Sequence, residues 1–156
     1  MRVNSKENSQ GNRKGKEEEC EKYFLKKRLD NGEWVEGYYV KTRLGTDIKP
    51  SDVIFVPFKI NRNEEWGWMK VDPNTLCQYT GLMDKNGQKV WENDICEMVY
   101  DGKIHIYVVV WDKTELDFKG TNGKENYGRN FEYLGCCEEI VVIGNIFDNA
   151  DLLEVE

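Results

Sequence analysis

Turn-forming dipeptides divide most of this chain into short pieces, and they constrain its fold more than any other feature. Asn31-Gly32, Asn86-Gly87 and Asp101-Gly102 each stand between runs rich in valine, isoleucine and aromatic residues. These dipeptides favour tight hairpin turns of type I′ because their residues tolerate a positive φ. No helical period runs through residues 30–72. The sequence therefore predicts a mainly β protein with few, short helices.

The clearest hairpin surrounds Asp101-Gly102. In the strand that follows, residues 103–112, both alternating sets of side chains are mostly apolar. Such a strand is typical of the centre of a sheet that is covered on both faces. A further reversal is needed within the segment Trp-Glu-Asn-Asp-Ile at 91–95, and Asn93 is the residue there that best tolerates a positive φ.

Four other segments have distinct predictions. Pro57 interrupts the apolar run at 52–60, which predicts an edge strand or a bulge because proline cannot donate to a ladder. Residues 112–130 are polar and rich in glycine, so we predict a long, mobile surface loop. The segment at 17–29 fits either a short helix or a strand. Residues 148–156 fit a short helix or turn with an acidic first turn.

The length and composition predict three regions. Residues 1–20 contain almost no apolar side chains and are predicted to be disordered. A β-rich N-terminal subdomain is expected over 21–72. A second antiparallel part is expected over 73–156, with the loop at 112–130 and the short C-terminal helix.

Charge and hydropathy limit the location and the partners. Residues 1–28 hold nine Lys or Arg and five Asp or Glu, a net charge of +4, whereas residues 29–156 hold thirteen and twenty-four, a net charge of −11. An acidic body repels the phosphates of nucleic acids. No apolar run approaches the length of a membrane span or of a signal-peptide core. We therefore predict a cytoplasmic protein without a membrane partner.

The five cysteines are Cys20, Cys77, Cys96, Cys136 and Cys137. An odd number with an adjacent pair does not form a disulfide framework. We interpret them as free thiols, most of them buried as small apolar side chains.

Three segments together resemble the YopX family of phage and prophage proteins. They are residues 75–95, a hairpin that ends in Val-Val-Val-Trp-Asp at 108–112, and residues 141–153. The stretch Asn-Gly-Glu-Trp-Val-Glu-Gly-Tyr-Tyr-Val at 31–40 is also similar to the N-terminal part of many members. The resemblance covers roughly residues 28–154. Its specific set is Gln78-Tyr79-Thr80-Gly81, Asp84, Asn86-Gly87, Glu92, Asp94 and Ile143-Gly144-Asn145.

The resemblance implies a mostly β architecture in which residues 73–156 form a small, antiparallel, barrel-like part of SH3-like size. It also implies a phage or prophage gene in a bacterial host, but no reaction. The chain departs from the family pattern twice. Asn93 stands where the family usually has glycine, which agrees with a positive φ at this position. Ala150 stands where the family often has proline, which weakens the prediction of a sharply defined last helix.

Candidate catalytic and metal-binding residues have simpler structural interpretations. Asp84, Glu92 and Asp94 are acidic residues near turns, where such side chains commonly bond to backbone N–H groups. The spacing after Asp84 does not fit a calcium loop. His105 is the single histidine, and without a Cys-x-x-Cys the chain offers no zinc set. A Cys96–His105 pair across the hairpin is the remaining catalytic candidate. A structural role for His105 is the simpler interpretation, because a single histidine on a strand is commonly structural.

The sequence thus predicts no catalytic residue, no metal site and no cofactor. We predict a non-enzymatic protein-interaction module that binds a protein partner or a second copy of itself as a homo-oligomer. Its candidate surfaces are residues 52–60 and 112–130. The alternative is a nucleic-acid-binding accessory protein that stacks bases on exposed aromatic side chains, with phosphate contacts from a basic segment at 13–28. The aromatic candidates are Trp34, Tyr38, Trp66, Trp68 and Tyr127.

Overall fold

The computed structural model describes residues 23–60, 63–122 and 131–153. Within these ranges the chain is mainly β, as the sequence predicts. The predicted disordered tail, residues 1–20, lies outside them. The strands are β1 (Tyr23–Lys27), β2 (Trp34–Thr42), β3 (Ser51–Ile60), β4 (Asn63–Lys70), β5 (Cys77–Met83), β6 (Lys89–Trp91), β7 (Asp94–Tyr100), β8 (Lys103–Asp112), β9 (Asp117–Thr121), β10 (Phe131–Tyr133) and β11 (Glu139–Asn145).

Short 3-10 helices are the helical elements of the described residues, at Pro73–Thr75, Leu134–Cys136 and Ala150–Leu153. The last of them lies where the sequence predicts a short helix or turn. The segment at 17–29, for which helix and strand were both open, contains the strand β1. No helix in the described part of the chain has the length and apolar character needed to cross a membrane.

The strands form two antiparallel sheets, of order β4-β3-β2-β1-β5-β6 and β10-β9-β8-β7-β11. Strands β5 and β6 join the first sheet although they follow the predicted subdomain boundary at 72/73. The strands of the second sheet, β7 to β11, all lie within the predicted C-terminal part, residues 73–156. In the first sheet, an isolated bridge between Arg28 and Val71 brings the end of β4 back to the end of β1.

The two sheets share a hydrophobic core. Val90 of β6 is completely buried, and it packs in one cluster with Cys96, Met98, Val109 and other side chains of the second sheet. Burial of this apolar surface favours a fixed arrangement of the two sheets. The β5–β6 hairpin therefore belongs to one sheet by hydrogen bonding and to the core of the other by packing.

The prediction that residues 52–60 form an edge strand or a bulge is wrong. Strand β3 lies between β2 and β4, and its register with β4 runs without a shift from Val53 to Ile60. Pro57 is nevertheless compatible with this position. Phe55 is the last residue of β3 that pairs with β2, so Pro57 pairs only with Trp66 of β4 in the described register.

The prediction of one long loop over 112–130 is also wrong, because β9 occupies 117–121 and pairs with β8. Residues 123–130 lie outside the described ranges. The polar composition was misleading because Lys119 is almost completely buried. Its ammonium group bonds to Asp112 at 2.7 Å and to Glu115 at 2.9 Å, and it lies 3.9 Å from the centre of the Phe131 ring.

The hairpins around the turn dipeptides differ in type. Asp101 and Gly102 both have positive φ and connect paired residues, as a type I′ turn requires. At Asn31-Gly32 and at Asn86-Gly87 the type I′ prediction is wrong, because only the glycine of each pair has a positive φ. The N–H of Gly32 donates to the carbonyl of Arg28 at 3.0 Å, so the loop there is longer than two residues.

Strand β8 is central in its sheet, as predicted, but it is covered on both faces only in part. Val108 and Val109 are buried, whereas Ile104 near the hairpin tip is 68% exposed. The cysteines likewise divide, since Cys77 and Cys96 are buried, Cys137 is half-buried and Cys136 is exposed. The prediction of mostly buried thiols therefore holds for half of the described cysteines.

Candidate functional site

The two sheets meet where the chain passes from β6 to β7, at Asn93. This residue has a φ of +71°, as the sequence predicts. Its N–H donates to the carbonyl of Val109 at 2.8 Å, and its carbonyl accepts from the N–H of Ile146 at 3.0 Å. The reversal therefore connects β8 with the segment that follows β11.

The Asp84 carboxylate ties the β5–β6 turn to β11. Oδ1 accepts from the N–H groups of Asn86 at 2.8 Å and Gln88 at 2.9 Å, and Oδ2 accepts from the N–H of Val142 at 3.2 Å. Burial by itself raises the pKa of Asp84, but the N–H groups of Gln88, Val142 and Asn86 outweigh it and hold the pKa below its usual value. The ionised Asp84 carboxylate therefore stabilises the folded structure through its bonds to backbone N–H groups.

The same turn covers the outer edge of β11. Besides the Asp84–Val142 bond, the N–H of Lys85 donates to the carbonyl of Ile140 at 3.0 Å. Gly87 closes the turn with a φ of +80° and donates to the carbonyl of Asp84. An uncovered edge would leave these backbone groups open to pairing with another chain.

Asp94 begins β7 and is 6% exposed. Its Oδ2 accepts from the N–H of Trp91 at 2.8 Å. Burial raises the pKa of Asp94 to about 7, and the single bond from Trp91 offsets this only in part. The pKa of Asp84 is therefore lowered and that of Asp94 is raised, although the two residues are ten positions apart in the sequence.

A cleft of about 490 Å³ opens beside Asp94, between the first sheet and β11. This volume is within the usual range of ligand pockets. Its walls combine apolar and polar groups in similar proportion. It is lined by Leu25, Trp34, Gln88, Trp91, Asp94, Val142, Ile143, Gly144 and Asn145.

The rim of the cleft is built by a turn after β11. Asn145 Oδ1 accepts from the N–H groups of Phe147 and Asp148, both at 3.0 Å. This turn carries Asp148 to Trp34, whose Nε1 donates to Asp148 Oδ2 at 2.7 Å, while Lys27 pairs with the other oxygen. The Lys27 ammonium and then the Trp34 N–H hold the pKa of Asp148 below its usual value.

The three acidic residues that the sequence singled out do not form one site. Asp84 and Asp94 bond to different backbone segments. Burial raises the pKa of Glu92, against bonds from the N–H groups of Gln78 and Trp111. Within the described ranges, no three His, Cys, Asp or Glu side chains are placed to hold a metal ion.

The candidate pair of Cys96 and His105 is not brought together. Across the β7–β8 hairpin, His105 lies opposite Met98, and Cys96 lies opposite Tyr107. Cys96 is completely buried, which raises the pKa of its thiol. The His105 ring stacks on Tyr107 with 5.2 Å between ring centres.

The aromatic candidates are also dispersed. Trp34 lines the cleft, whereas Tyr38 and Trp68 flank Phe55 in a cross-strand row over β2, β3 and β4. Trp68 is 50% exposed. The Trp66 side chain and Tyr127 lie outside what the structure describes.

Sequence reasoning missed two features. One is the contact of Trp34 with Asp148, which joins residues 114 positions apart without any local signal. The other is Lys26, a completely buried lysine in an alternating strand pattern. Its Nζ lies 3.9 Å from Asp52 and 4.0 Å from the centre of the Tyr39 ring, without a hydrogen-bond partner. Burial lowers the pKa of Lys26.

The fold and the site define a class of mainly β protein. Its two sheets meet at a turn that is hydrogen-bonded to both of them. The family model described as "YopX protein" matches residues 6–154. The chain belongs to the YopX family, which confirms the resemblance. Much of the specific residue set gathers at the junction, where Asp84 and Asn86-Gly87 form the turn and Asp94 and Ile143-Gly144-Asn145 line the cleft.

Among solved structures, the chain is similar to the crystal structure of protein EF1440 from Enterococcus faecalis. The identity is 19%, the TM-score is 0.46, and the match covers 85% of this chain and 96% of that one. Among curated proteins, none matches this chain.

We expect Asp84→Asn to lower the free energy of unfolding at neutral pH by roughly 2 kcal/mol, because bonds from backbone N–H groups to an ionised carboxylate are lost. A carboxyl with a lowered folded pKa stabilises above its unfolded pKa of about 4 and loses that effect as the pH falls. Urea unfolding from about pH 3 to pH 8 should show a difference that shrinks in acid. The matched control is Asp101→Asn, at an exposed turn. A loss that persists undiminished at low pH would contradict this role for the charge.

Asp94→Asn should have the opposite effect. A carboxyl with a raised folded pKa stabilises most below its unfolded pKa of about 4 and loses that effect as the pH rises to about 7. Asparagine keeps an acceptor for the Trp91 N–H and removes the buried charge, so we expect the variant to be about 2 kcal/mol more stable than the parent near pH 8 and similar near pH 4. The same unfolding series measures it. Equal stability of both proteins at every pH would show that Asp94 is not perturbed.

Proposed function

We propose that this protein is a non-enzymatic protein-interaction module, encoded by a phage or prophage and acting in the cytoplasm of the bacterial host. The cleft at the junction of the two sheets carries the proposal. Its volume is within the range of binding pockets, and its wall combines two tryptophans and aliphatic side chains with polar groups that a partner can contact. The phage or prophage origin rests on the family resemblance.

The chemistry of the junction supports binding rather than a reaction. The Asp84 carboxylate is engaged by three backbone N–H groups. The carboxylate of Asp94 holds the Trp91 N–H, and the thiol of Cys96 lies away from His105. These groups stabilise the walls of the cleft, and a partner that enters it meets a preformed surface.

Self-association is the second form of interaction that we propose. The surface proposed for it is strand β4, in place of the candidate residues 52–60 of β3. Strand β4 is outermost in the six-stranded order, and its Trp68 is half exposed. A second copy can add a strand at such an edge. Light scattering at increasing protein concentration measures this, and a constant monomer mass would contradict it.

A photo-crosslinking amino acid at Gln88, in the wall of the cleft, tests the interaction role. Incubation in host lysate and irradiation should give a discrete adduct with one protein. The matched control places the same amino acid at Asp101, on an exposed turn that does not line the cleft. The absence of an adduct at Gln88, or the same adducts at both positions, would contradict the proposal.

The nucleic-acid alternative has one supporting observation, the row of Tyr38, Phe55 and Trp68 on one face of the first sheet. Bases can stack on such a row. The net charge of −11 over residues 29–156 opposes it. A gel shift with single-stranded DNA at about 50 and 200 mM salt decides, since phosphate binding weakens steeply with salt. We expect no shift at either salt concentration.

A further inference from the structure

We infer that the cleft receives an arginine side chain of the protein partner. This inference rests on the proposed function and names the chemistry of the partner. Three observations carry it: a buried carboxylate in the wall, two indole rings that line the same cleft, and the acidic charge of the folded body.

The carboxylate is that of Asp94, which lines the cleft and is more than nine-tenths buried. A carboxylate has about four acceptor positions, and the described hydrogen bonds of Asp94 use one of them, for the Trp91 N–H. A guanidinium group presents several N–H donors in a planar fork that matches a carboxylate. The wall thus offers acceptor capacity to a donor-rich ligand.

The indole rings are those of Trp34 and Trp91, and indole faces attract cations more strongly than other aromatic rings do. The protein already uses this attraction within its own chain. The Lys27 ammonium lies 5.2 Å from the centre of the Trp34 ring, and the Lys89 ammonium lies 5.8 Å from that of Trp91. The same rings line the cleft. The two ammonium groups are paired with carboxylates, Lys27 with Asp148 and Lys89 with Glu36, which reduces their repulsion of a cation that enters the cleft.

Charge and shape select arginine over other side chains. The body carries a net charge of −11 over residues 29–156. Val142 and Ile143 supply aliphatic wall that suits the methylene stem of arginine. Planar guanidinium stacks on aromatic faces, whereas lysine presents a compact, strongly hydrated charge.

The test uses the full chain and two dipeptides that differ only in charge, acetyl-Leu-Arg-amide and acetyl-Leu-citrulline-amide. The indole N–H signals in ¹H–¹⁵N spectra, assigned with Trp→Phe variants, report binding. We expect the arginine dipeptide to shift the Trp34 and Trp91 signals and to saturate at millimolar concentration, with the citrulline dipeptide about tenfold weaker. Asp94→Asn should weaken arginine binding by about tenfold, and Asp101→Asn should leave it unchanged.

Three results would overturn the inference. The first two are equal affinity of the two dipeptides and no shift of either signal up to roughly 20 mM arginine dipeptide. An equal loss in both Asn variants would also overturn it, since it would indicate attraction by the overall charge. The dispersion of the remaining indole signals shows that each variant is folded. If Gln88 crosslinks a partner while the dipeptide does not bind, the arginine assignment fails and the interaction role stands. If neither occurs, both fail.

Discussion

An edge strand presents backbone N–H and C=O groups without a partner strand. In this protein, the turn at residues 84–88 forms hydrogen bonds with such groups of β11, the Val142 N–H and the Ile140 carbonyl. The Asp84 carboxylate and the Lys85 N–H supply the bonds, and Asn93 adds two more at the crossing between the sheets. Buried backbone groups must be paired. These hydrogen bonds, together with the hydrophobic core around Val90, therefore hold the two sheets in their relative position.

The cleft follows from this arrangement. Because the turn bonds to Ile140 and Val142, the second half of β11 is held beside Trp34 and Trp91 without closing against them. The turn after Asn145 then brings Asp148 to Trp34. Two carboxylates that the sequence offers as catalytic candidates therefore have different places in the fold. Asp84 bonds to the backbone at the junction of the sheets, and Asp94 lines the cleft.

The sequence predicted what local chemistry determines. Positive φ at Gly87, Asn93 and Gly102 follows from residue type, and the central place of β8 follows from its apolar character. The predictions from the sequence were wrong where the position of a residue depends on partners that are distant in the chain. Lys119 looked like a loop residue because its partners Asp112, Glu115 and Phe131 become visible only in the fold. For the same reason the cleft, built from β1, β2, β6, β7 and β11, has no local signature.

Amide hydrogen exchange at Val142 and Ile146 tests the junction most directly, because their N–H groups bond to Asp84 and Asn93. If these bonds hold the sheets together, both amides exchange only when the whole protein unfolds, and their opening free energies equal the free energy of unfolding measured with urea. Fast exchange of both amides, while Val109 in the middle of β8 stays protected, would contradict the account. The sheets would then separate without global unfolding.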